Sequence, residues 1–203
     1  MKPKSPEFTA KELKYFQNTD FLKTKRLIIN SFIRLFEDIQ SDIVCSIDKE
    51  DIQFPDALIT KSGKITKGEN YKELPFVVLD CPRFFSKNDI FAYRCIFWWG
   101  HYLSNHLLLK GHFLDRYHAC FVDSWSLLKD EPVYLNLSED PWNHDLSTSD
   151  FVPISRLNPK KFNEVLLRLD FLKLVWRIEL DQWKAFHQFS LKNWLTFINI
   201  INR

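Results

Sequence analysis

The residues best suited to chemistry lie in one stretch of the chain. Asp80 and Arg83 flank Cys81-Pro82, and Arg94, Trp98, Trp99 and His101 follow shortly after. Arginine forks bind anionic groups, indole rings stack on planar or apolar bodies, and a histidine exchanges protons near neutral pH. Together the six define a candidate ligand site for a small anionic molecule. The competing reading is a salt bridge between Asp80 and an arginine, seated above core tryptophans.

His101, His106, His112 and His118 fall close together, with Cys120 and Asp115 as further potential ligands. A zinc or iron site needs at least three such groups at one point. The spacing does not provide them. His101 and His106 would face opposite sides of a strand, and neither H-E-x-x-H nor an H-x-D pair is present. No metal and no cofactor are expected. Gly63-Lys-Ile-Thr-Lys-Gly68 has the glycine spacing of a phosphate loop, but Glu69 and Asn70 stand where that motif needs Lys and Ser/Thr. A carboxylate there repels phosphate, so a hairpin turn is the expectation. With four glycines in the whole chain, no G-x-S-x-G nucleophile elbow exists.

The elements that would carry these residues follow from pattern. Thr9-Ala-Lys-Glu12 reads as a capping box opening a short helix. Apolar residues from Phe21 to Ile39 recur at helical spacing and predict a helix over 20–40, its lysines on the solvent side. It reads as an amphipathic core helix rather than a nucleic-acid or membrane surface. Residues 41–57 carry many acids and are expected to be irregular. Residues 58–72 read as a polar hairpin, and Phe76–Leu79 as a buried strand. Ser86-Lys-Asn-Asp89 suggests a short helix over 87–94, with strands at 101–109, 117–123 and 132–137. The acidic stretch 138–153 reads as a surface loop. Asn158-Pro159 starts a helix expected to run toward Ile201, with a break near Ser190.

Helices, then strands, then helices predict a single α+β domain over 1–203. An antiparallel sheet in the middle of the chain should be covered on one face by the N- and C-terminal helices. The predicted core includes Leu27, Phe32, Phe36, Val77, Leu79, Leu166, Leu169 and Trp176.

Composition bounds function. Aromatic residues make up 16% of 203 residues and the net charge is +2, which argues against nucleic acid as a partner. No apolar run is long enough to span a membrane. Cys45, Cys81, Cys95 and Cys120 form no C-x-x-C pair, and the basic start Met1–Pro6 has no apolar segment behind it. Reduced cysteines and a cytoplasmic location are expected, with no membrane partner.

The segment Lys67-Gly-Glu-Asn-Tyr71, Leu74-Pro75, Leu79-Asp80, Pro82-Arg83, Asp89-Ile-Phe-Ala92, Arg94 and Phe97-Trp-Trp-Gly100 resembles a family of bacterial cytosolic proteins of similar length without an assigned activity. The resemblance implies a bacterial cytosolic protein and supplies no catalytic residues. Two functions follow as expectations. The first is a binding or interaction module, with the acidic loop 138–150 and Trp142 as the surface for a protein partner. The alternative is a small-molecule-binding protein or enzyme with an anionic-ligand pocket near residues 80–101.

Overall fold

Alternation along the middle strands sets the architecture. A computed structural model describes residues 6–49, 54–55 and 57–202. In β3 (Ile90–Trp98), Phe91, Tyr93, Cys95 and Phe97 point into the main core, while Ile96 and Trp98 belong to a second cluster on the opposite face. β2 (Leu74–Phe85) and β4 (Tyr102–Lys110) flank β3 on either side. β1 (Lys64–Tyr71) forms a hairpin with β2 through Lys72 and Glu73, both at positive φ, the conformation a two-residue hairpin turn demands. That turn is not at the glycines of the 63–68 segment. Gly68 instead lies beneath the Phe76 ring, where a Cβ would approach its carbons to 2.4 Å.

The seven strands are all antiparallel and ordered β1-β2-β3-β4-β7-β5-β6, with β5 Val133–Asn136, β6 Phe151–Pro153 and β7 Phe171–Glu179. One face is covered by α2 (Thr19–Lys49), α3 (His112–Asp123) and α6 (Phe186–Ile201). Phe91 sits in that core with its ring near those of Phe113, Tyr117 and Phe197. The fold is thus α+β, with the expected antiparallel sheet and N- and C-terminal helices.

Several elements differ from expectation. The single helix over 159–201 is replaced by α5 (Pro159–Leu166), β7 and α6. Phe171–Trp176 is buried on both sides of a central strand, and a continuous apolar run of that kind fits either a strand or a buried helix. α6 continues through Ser190 without a break. The segment 117–123 lies in α3, not in a strand.

Ser86 accepts the amides of Asn88 and Asp89 in a turn that leads into β3, so no helix forms at 87–94. α2 runs past residue 40 to Lys49, because Ile39, Ile43 and Ile47 prolong its buried stripe while Asp42 stays on the solvent side. Residues 50–53 and 56 of the stretch expected to be irregular lie outside the described residues. The short helices α1 (Ala10–Phe16) and α4 (Trp125–Leu128) complete the set, and α1 has its capping box.

Phe36, Val77, Leu79, Leu166 and Trp176 are core residues as expected, with Phe32 and Leu169 packed at its margin. Leu27 is not: it is 67% exposed. No helix of the described residues is long and apolar enough to cross a membrane.

Candidate functional site

Two places concentrate features beyond packing, one on each side of the sheet. The first is a buried polar network on the face opposite the helices. Strand register sets Asp80 opposite Arg94, and Arg94 opposite His106. Arg94 donates from Nε to Asp80 Oδ1 and from Nη2 to Asp80 Oδ2 at 3.2 Å, a two-pronged ion pair. The Trp142 ring covers the guanidinium at 5.1 Å.

Lys173 projects onto the same face from β7 and is fully buried. Its Nζ donates to the carbonyls of Pro141, at 2.9 Å, and Asn143, and lies 3.1 Å from His144 Nδ1. Burial pushes the Lys173 pKa well below the usual lysine range, and the Arg94 charge adds to the effect. Burial likewise holds His106 and His144 well below the usual histidine range, aided by Lys173 and Arg94.

The loop over residues 137–150 is therefore a lid pinned to the sheet rather than a free surface loop. Tyr102 donates to the His144 carbonyl at 2.6 Å and accepts from the Leu146 amide, and Tyr71 accepts from the His144 amide at 2.7 Å. Asp145 pairs with Lys72. Burial alone would raise the Asp145 carboxyl, but Lys72 and Ser147 outweigh it and bring it down to about 2. Trp142, expected as a partner-facing residue, is 43% exposed with its ring engaged over Arg94. Beneath the loop a cavity of about 40 Å³, room for very few waters, is lined by Tyr71, Trp98, Ser104 and His144 among others. Lys173 is not in its walls.

The second place is an open groove of about 620 Å³ on the helix side. One wall is α2, through Leu27, Ile28, Ser31, Phe32 and Leu35. The floor is Phe97, stacked on Phe32 at 3.9 Å, with Trp99 and Gly100 from the β3–β4 turn. The other wall is a 3-10 turn after β7, through Leu180 and Trp183. Among the described residues no wall residue titrates, and Ser31 supplies the one side-chain hydroxyl. Cations stand at the rim. Arg34 donates to Ser31 Oγ at 3.3 Å, and Lys184 lies 5.7 Å from the centre of the Trp183 ring.

The six residues singled out from sequence divide between these places. Asp80, Arg94 and Trp98 share the outer sheet face, and His101 joins them by stacking on Trp98 at 3.5 Å. His101 lies in the turn before β4, so strand parity does not govern it. Trp99 points the other way, into the groove. Arg83 is half-buried and pairs through its backbone with Ile59, away from either cluster's walls.

The four histidines do not converge either. His112 opens α3 and contacts Asp89, and His118 lies on α3. The neighbour of His106 is His144, at 5.1 Å between rings, from the loop that follows β5. Among the described residues no group of three or more His, Cys, Asp or Glu is arranged to hold a metal ion. The thiols of Cys81 and Cys95 are buried and pushed up to about 12 by burial.

Sequence reasoning missed Lys173 and His144 in the network, and the α2 wall of the groove. The available signal for the wall was Leu27, Ile28, Phe32 and Leu35, which fall at helical i, i+3 and i, i+4 spacing beside the buried stripe. Set against known protein families, curated proteins and solved structures, the chain matches none.

Proposed function

We propose that this chain is a binding protein for an amphiphile, with an apolar body held in the α2 groove and an anionic end at its rim. The observation that carries this reading is the groove itself. Its 620 Å³ lies within the range of small-molecule sites, and its walls are aliphatic and aromatic, with Arg34 beside Ser31 on one wall and Lys184 beside Trp183 on the other. Of the six residues expected to bind an anionic ligand near 80–101 this reading keeps Trp99 alone, and it changes the anion-binding side chain. Arg94 is occupied by Asp80, whereas among the described residues Arg34 meets only a serine hydroxyl on the groove wall. Walls without a titrating side chain favour binding over proton-transfer chemistry.

Titration with dodecanoate tests the proposal directly. Trp99 and Trp183 should change fluorescence on binding, and Arg34→Glu should weaken dodecanoate at least tenfold while leaving dodecanol within twofold. A protein whose tryptophan emission responds to neither compound refutes the groove assignment. Equal effects of Arg34→Glu on both compounds refute the anionic end.

A further inference from the structure

Residues 6–27 project beyond the body of the protein. α1 has no buried residue, and the first two turns of α2 are exposed except at Lys25, which pairs with Glu69 of β1. This arm carries Phe8, Leu13, Phe16, Phe21, Leu22 and Leu27 at the surface, with Phe16 81% exposed. Such a density of large apolar side chains marks an interaction surface.

The arrangement on α1 is amphipathic. Leu13 and Phe16, three residues apart, share one side, while Lys11 and Lys14 share the opposite side. Across residues 6–27 there are five bases and three acids. Glu12 is engaged in the capping box and Asp20 lies 3.9 Å from Lys23. A second copy docked arm to arm would bring like charges together.

We infer that the arm adsorbs on an anionic lipid bilayer, with its apolar side chains in the headgroup boundary and its lysines against the lipid charges. Short amphipathic helices with aromatic and basic residues bind in this way without spanning. Leu27 belongs both to the arm and to the groove wall, so the groove opens at the adsorbed end. The bilayer is then the source of the amphiphile. That last step rests on the binding function proposed above, whereas adsorption stands on the arm alone.

Co-sedimentation of the full chain with vesicles of pure phosphatidylcholine, and with vesicles of phosphatidylcholine mixed with phosphatidylglycerol, separates the outcomes. The protein should partition at least fivefold more onto the anionic vesicles, and the excess should vanish in high salt. Phe16→Glu combined with Leu22→Glu should lower the partition at least tenfold. Its melting temperature and its dodecanoate response should stay unchanged. Ser31→Trp, which fills the groove, should remove the dodecanoate response and keep the vesicle partition. Failure of wild type to sediment, or sedimentation indifferent to the arm variant, overturns the inference. So does a dimer in light scattering that the arm variant converts to monomer, since a second copy would then be the occupant.

Discussion

Lys173 shows how one side chain can fasten a loop to a sheet. Its Nζ donates to the carbonyls of Pro141 and Asn143 and meets His144 Nδ1. Lys173→Met keeps the length of the chain but leaves two buried carbonyls without donors. It should cost about 3 kcal/mol in urea unfolding, since an unsatisfied buried group costs about 1–3 kcal/mol. The same residues set the acid response. His106 and His144 are held neutral in the fold, with pKa values below the unfolded 6.5. Below that pH the unfolded chain takes up protons that the folded chain does not. Stability should therefore fall as pH drops from 6.5, by about 1.4 kcal/mol per pH unit for each histidine. Lys173 contributes with the same sign below 10.5. Urea unfolding at pH 7.5, 6.5 and 5.5 checks the slope, and His144→Gln should reduce it below pH 6.5 by about 1.4 kcal/mol per pH unit.

At the scale of elements, α2 is two helices in energetic terms. From Ile29 onward it lies on the sheet, and Phe36, Ile39 and Ile43 are fully buried. Before Ile28 its apolar side chains Phe21, Leu22 and Leu27 are all exposed. Phe36→Ala should cost about 3–5 kcal/mol, the range for emptying a core aromatic site. Phe21→Ala should stay within about 0.5 kcal/mol, as surface changes do. Thermal or urea unfolding of the two variants distinguishes these halves. The apolar period of Phe21, Leu22 and Leu27 was legible in the sequence, but whether a partner element covers a stripe depends on where the sheet ends. The same limit applied to β7. Leu166, Leu169, Leu172 and Trp176 fit a helical period, yet Leu172, Leu174 and Trp176 face the helices from a strand while Phe171 and Val175 are buried behind them. Double-sided burial erases the alternation by which a strand is recognised.

For the whole molecule, the order of helices, strands and helices was enough to give the fold class, because turn residues and alternation are local. That Asp80 pairs with an arginine was also legible, since Arg83 and Arg94 lie close to it in the chain, but the strand register that selects Arg94 was not, because 87–94 read as a helix. Lys173 and His144 were not, because their meeting depends on β7, far downstream in the chain, crossing the sheet to lie beside β4. That placement has a consequence for how the protein is made. As the ribosome extrudes the chain, the meander β1 to β4 can assemble while the far side of β4 is still bare, and its leucines at 107–109 are among the most buried residues of the finished molecule. An unpaired apolar edge invites strands from neighbouring nascent chains. That exposure lasts while α3 to α5 are being synthesised and ends when β7 arrives.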